Sequence, residues 1–66
     1  LQKLGLTPRQ AEVLFWISRG KTNIEIGIVL GASHHTVNRD VEAIFDRLNV
    51  ESRSAAMVVA LEVLGV

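Results

Sequence analysis

No cysteine occurs in the 66 residues. That removes disulfide frameworks, thiolate metal sites and thiol nucleophiles together, and it fits a reducing compartment. Net charge is missing as well, because seven Lys and Arg balance seven Asp and Glu. A nucleic-acid binder is expected to be basic, so this balance weighs against that class. The longest apolar run, Ala55 to Leu61, has seven residues before Glu62 interrupts it. A bilayer-spanning helix needs roughly 20, and no signal-peptide pattern is present, so a membrane protein is excluded and a cytoplasmic location is expected. The chain opens on Leu1 without an initiator methionine, and we expect a piece of a longer protein. Helix-pair repeats, low-complexity tracts and strand-like alternation are all lacking. So are a glycine-rich phosphate loop, a Ser-His-Asp arrangement and a paired-carboxylate site. The expectation is a protein that is not an enzyme and that carries neither cofactor nor metal.

What is present is helical. A chain this short buries only about 60% of its unfolded surface, so every apolar position counts. The stretch Ser33 to Leu48 organises the rest. Its apolar residues Val37, Val41, Ile44 and Leu48 step by four, three and four, which lays one stripe along a helix. The opposite face carries His35, Asn38, Arg39, Glu42 and Asp46, all able to hydrogen-bond. Ser33 is a suitable N-cap, and Leu30-Gly31-Ala32 stops a preceding helix. Helix, glycine turn and second helix with a polar outer face form a recognition-helix candidate.

The other elements read as support. Leu1 to Leu6 reads as a short lead-in, after which Thr7 can cap a first helix, Pro8 suits its first position, and Gln10 stands where a capping box wants Glu or Gln. Val13, Leu14 and Ile17 form its inner face with Trp16 at the edge, and Gly20 closes it. Thr22 and Glu25 repeat the capping-box grammar for a short second helix with Ile26, Val29 and Leu30 inside. Gly27 within that helix costs about 1 kcal/mol against alanine, which predicts that the third helix passes close. Asn49 tolerates the left-handed cap that would end the third helix. Ser52-Arg53-Ser54 leads into a last helix stopped by Gly65. From Ala55 to Leu64 its only charge is Glu62, so one face can pack inward and the other is left over. Such a leftover face predicts a partner, most simply a second copy. The fold class is all-α, with helices at about 8–19, 23–30, 34–48 and 53–64.

The residues from Leu6 to Ala56 resemble the LuxR-type (GerE-like) helix-turn-helix domain of bacterial transcription regulators. Leu6 to Leu14, L-T-P-R-Q-A-E-V-L, is similar to that family's L-T-P-R-E-x-E-V-L. Gly20 to Ile26, G-K-T-N-I-E-I, resembles G-x-[ST]-N-x-E-I-A. Leu30-Gly31 and Ser33 with Thr36-Val37 resemble L-G-x-S-x-x-T-V. Val41, Ile44, Leu48, Val50 and Ser52-Arg53 look like V-x-x-I-x-x-K-L-x-V-x-[ST]-R. Each motif is short, but their order and spacing are specific. The resemblance implies a four-helix domain whose third helix enters the DNA major groove, and dimers joined through the last helix on two-fold-related half-sites. There are departures. The family commonly has T-V-K-x-H where Thr36-Val37-Asn38-Arg39-Asp40 stands. A subgroup with T-V-N-K-H-L-E is similar except at Asp40. Ile24, Ile28 and Val29 replace common basic residues, and Phe15 replaces a polar one.

Candidate base contacts are Asn38, Arg39 and Glu42, since arginine reads guanine, asparagine adenine, and glutamate accepts from cytosine. The plainer alternative is a solvated face with Arg39 paired to Asp46 or Glu42. Candidate phosphate contacts are Thr22, Asn23, Ser33, His35 and Thr36, near two helix N-termini, with Lys21 and Arg53 adding flanking charge. His34-His35 lacks the companions that a metal or acid–base site needs. Val58, Leu61 and Glu62 are assigned to the dimer interface, while Met57 and Leu64 lie between core and interface. Phe15, Ile24 and Ile28 form a candidate docking patch for an N-terminal regulatory domain. The expected partner is double-stranded DNA. The alternative is a protein-interaction module on the same fold with little DNA affinity.

Overall fold

A computed structural model describes residues 5–64. Four helices follow one another: α1 (Pro8–Ser18), α2 (Asn23–Leu30), α3 (His34–Leu48) and α4 (Arg53–Leu64). Their boundaries are set by local chemistry. At the start of α1 the Thr7 hydroxyl accepts from the Gln10 N–H, and the Gln10 side chain accepts in return from the Thr7 N–H. Thr22 and Glu25 do the same for α2. Each box satisfies two amide groups that a helix start leaves orphaned. Ser33 caps α3 through the Thr36 N–H, and the Ser52 hydroxyl accepts from Ala55 at the start of α4.

The helix ends are equally specific. Beyond α1, Lys21 donates to the Trp16 carbonyl and Gly20 to that of Ile17. Beyond α3, Val50 donates to Phe45 and Asn49 to Asp46 in the same pattern. Both are Schellman closures, which need a left-handed residue. Gly20 supplies it at φ 82° and Asn49 at φ 56°. The predicted stop at Gly65 lies outside the described residues.

Val13, Leu14, Ile17, Ile26, Val37 and Ile44 are fully buried, and Leu6, Val41, Ala56 and Ala60 complete the core. Each large member contributes about 1.5–3 kcal/mol by leaving water. Against the core, α3 packs on α1, α2 and α4, while α4 lies mainly on α1. The fully buried residues of α4 are Ala56 and Ala60, one turn apart, so small side chains face the core there.

Three expectations need correction. Leu6 is core, not merely lead-in. Val29, expected on the inner face of α2, is 49% exposed. Eight residues make about two turns, and Ile26 with half-buried Leu30 already fills the inner stripe. Gly27 does meet a close neighbour, but it is the turn, not the body of α3. A Cβ there would stand 2.5 Å from the Ala32 carbonyl oxygen, while the Ala32 N–H donates back to the Gly27 carbonyl at 2.9 Å.

Candidate nucleic-acid interface

The stripe Val37, Val41 and Ile44 faces the core, so the helical period turns the other side of α3 outward. His35, Asn38, Arg39, Glu42 and Asp46 are all exposed there. The local pairing of Arg39 with Glu42 or Asp46 is not formed. Among the described residues the one salt bridge is Arg9 to Asp40, at 2.9 Å. Asp40 therefore faces α1, and its charge is matched by a cation the sequence did not connect with it. That pair spans 31 positions, beyond the reach of any periodicity argument. Arg39 has no hydrogen-bond or ion-pair partner among the described residues, so its donors can meet an outside acceptor.

Behind Asn38 runs a chain of side chains from three helices. Arg53, at the start of α4, donates from Nη1 to Asn23 Oδ1 at 2.6 Å and from Nη2 to the Lys21 carbonyl. Asn23 in turn donates from Nδ2 to Asn38 Oδ1 at 2.7 Å. Partial burial pushes the Arg53 pKa below its ordinary value, because the charged form loses hydration. Asn23, Asn38 and Arg53, each assigned separately as a DNA contact, thus form one connected unit, and Arg53 is partly engaged within the protein. Lys21 enters this unit through its backbone.

Two helix N-termini flank this unit, at Thr22 and Ser33. Ser33 Oγ also lies 3.1 Å from Thr36 Oγ1, so these hydroxyls share a hydrogen bond as well as the cap. Capping uses only some of the free N–H groups of a first turn, and the remainder can face an anion. At α2 the Glu25 carboxylate is held below its ordinary pKa. The Thr22 backbone N–H is the main cause, then the Thr22 hydroxyl, with the nearby Lys21 charge helping. The rings of His34 and His35 lie with centroids 4.2 Å apart, tilted by 34° to each other. Among the described residues no three His, Asp or Glu side chains converge as metal ligands, and no helix is long and apolar enough to cross a membrane.

Apolar surface lies elsewhere. On α4, Val58 is 53% exposed and Leu61, Glu62 and Val63 are also outward, while Met57 packs partly on the core. The Leu64 side chain lies outside the described residues. On α2, Ile24 is 64% and Ile28 77% exposed. Phe15 meets Trp16 edge-on, with ring centroids 5.1 Å apart, and has the Arg19 guanidinium 5.9 Å from its own centroid. Val63 joins the α4 face although the sequence reading did not single it out.

Comparison with known proteins agrees with this geometry. Residues 4–60 match the family model described as bacterial regulatory proteins, luxR family. The chain is 38% identical over 55 residues to the transcriptional regulatory protein ComA of Bacillus subtilis, covering 83% of this chain and 26% of that protein. It is 41% identical over 56 residues to the transcriptional activator protein SolR of Ralstonia solanacearum, covering 85% and 24% respectively. A third relative is the HTH-type quorum sensing-dependent transcriptional regulator RpaR of Rhodopseudomonas palustris, 38% identical over 56 residues, covering 85% and 23%. The chain spans about a fifth to a quarter of the length of the curated relatives it matches. No solved structure matches it significantly.

Proposed function

Because the chain belongs to the luxR family of bacterial regulatory proteins, as its helix-turn-helix domain, we propose that it binds DNA in a sequence-specific way as part of a longer cytoplasmic transcription regulator. In this reading α3 enters the major groove and α2 crosses the backbone. Arg39, Asn38 and Glu42 meet base edges. Lys21, Thr22, Asn23, Ser33, His35 and Thr36 meet phosphates, and Arg53 contributes whatever donors its partners leave. The observation that carries the reading is the outward face of α3, where Arg39 stands exposed and has no ion-pair partner among the described residues.

Dimerisation through α4 completes the proposal. The exposed Val58 and Leu61 and the neighbouring Glu62 would join two copies on a two-fold-symmetric operator, with half-sites about one DNA turn, roughly 34 Å, apart. The exposed Ile24 and Ile28, with Phe15, would receive a regulatory domain preceding this one. A second reading, a protein-interaction module with little DNA affinity, draws on the zero net charge and on these same exposed isoleucines.

Selection of bound duplexes from a random pool, followed by a salt titration, tests the two. A domain that neutralises phosphates loses affinity linearly on a log–log plot against salt, with a slope of about −0.9 per phosphate on duplex DNA. No retained duplex at low salt would favour the protein-interaction reading.

A further inference from the structure

The chain of hydrogen bonds Arg53–Asn23–Asn38 fixes which end of the Asn38 amide faces outward. A guanidinium has donors only. The Asn23 atom 2.6 Å from Arg53 Nη1 must therefore be the carbonyl oxygen. Asn23 then has only its amino group left to turn towards Asn38, and the atom it meets at 2.7 Å must be an acceptor. That atom is Asn38 Oδ1. Asparagine orientations are ordinarily open to a half-turn, but here a cation of fixed polarity at one end decides both.

We propose that Asn38 is set by Asn23 and Arg53 as a donor to its base, and that this position favours the acceptor-rich edges, guanine with O6 and N7 or thymine with O4, over adenine, where N7 alone accepts and N6 donates. The usual asparagine contact with adenine needs both ends of the amide, Oδ1 to accept from N6 and Nδ2 to donate to N7. In this protein one lone pair of Oδ1 is already taken by Asn23, whereas Nδ2 has no hydrogen-bond partner among the described residues. Nδ2 is therefore the end of the amide with its full capacity left for the groove. On this reading guanine or thymine replaces the adenine that the residue type alone suggests. Asn23 and Arg53 are positioning residues here, since they act on the base through Asn38. The inference rests on the DNA-binding reading and refines it at one base pair.

The test is in vitro selection with the wild-type domain and three variants, each first checked for an intact helical melt. Asn38→Ala identifies the base position concerned, because preference flattens there alone. The wild-type domain is expected to enrich guanine or thymine at that position. Asn23→Ala frees Asn38 Oδ1, so the ratio of adenine to guanine plus thymine should rise by about tenfold, within the range that one bidentate contact supplies. Asn23→Asp keeps an acceptor for Arg53 but offers Asn38 no donor. The Asn38 amide then turns over and shows its oxygen, and enrichment should move to bases with an exocyclic amino group, adenine or cytosine. A purely structural role for Asn23 would lower affinity for every sequence equally and leave the base preference in place. That result, or adenine selected by the wild-type domain, overturns the proposal while leaving DNA binding standing. Failure of the wild-type domain to enrich any duplex would instead remove the DNA-binding reading, and this inference with it.

Discussion

The outward faces of α3 and α4 rest on the same core and have opposite chemistry. Beneath α3 lie the branched side chains Val37, Val41 and Ile44, and above them stand Asn38, Arg39 and Glu42. On α4 the arrangement is inverted. Ala56 and Ala60 face the core, while the larger Val58, Leu61 and Val63 face out. An amphipathic helix ordinarily buries its larger apolar groups. α3 is fully explained by its own domain plus a polar partner, whereas α4 is not explained until something apolar covers it. Under the proposed function the contrast would separate two kinds of recognition on one small scaffold, polar and directional on α3, apolar and shape-dependent on α4.

The most severe way to break this contrast is to remove what the faces share. Ile44→Ala deletes a fully buried side chain and should lower stability by about 2–5 kcal/mol in urea denaturation. A loss below about 1 kcal/mol would mean that the α3 stripe is not the shared support. Next comes a lesion confined to the corner between α2 and α3. Gly27→Ala gains about 1 kcal/mol of helix propensity but meets the Ala32 carbonyl oxygen at 2.5 Å. Overpacking of about 1–3 kcal/mol should win, giving a lower melting temperature. A stabilised variant would show that the turn yields easily.

A crossed pair of surface variants sharpens the comparison directly. Arg39→Ala should relax preference at one base position by about 1–3 kcal/mol and leave the sedimentation behaviour unchanged. Leu61→Glu should do the reverse, keeping the domain folded to within about 0.5 kcal/mol and holding it monomeric in analytical ultracentrifugation. If Arg39→Ala weakened all sequences alike, or if the wild-type domain stayed monomeric with and without operator, the division of labour between the two helices would fail. The smallest effect expected is in pH dependence. The folded-state pKa of Glu25 lies below the ordinary 4.5, so its contribution is present above that value and fades as pH falls through the folded one. Glu25→Gln keeps the oxygen that accepts from the Thr22 N–H but cannot titrate. It should flatten the acid limb of the stability curve slightly, and an unchanged limb would show that the carboxylate adds nothing there.

What could be read from the sequence was what acts over one or two turns. Thr7 with Gln10, Thr22 with Glu25, and Ser33 are caps whose partners lie three residues away. The closure at Asn49 and the stripe from Val37 to Ile44 are equally local. The face of α3 was legible for the same reason, as the complement of that stripe. The partners across the fold were not. Asp40 stood in the sequence as a departure from the family pattern, and its partner Arg9 lies 31 positions away. Asn23, Asn38 and Arg53 were each noticed for their chemistry, but their connection depends on three helices meeting. Val29 was misplaced because a two-turn helix gives its apolar residues too little length to show a preferred side.

The alanines beneath α4 have a consequence in the geometry of assembly. Two inward methyl groups set how far the axis of α4 stands from the rest of the domain, and α4 is where the proposed dimer joins. A larger residue at Ala56 or Ala60 would displace the joining surface outward in both copies at once, so the shift would count twice across the pair. The span between the two copies of α3 would change with it, while every residue facing DNA stayed the same. Ala56 and Ala60 would then serve as a gauge block, tuning the operator spacing that the dimer accepts without altering the bases that it reads.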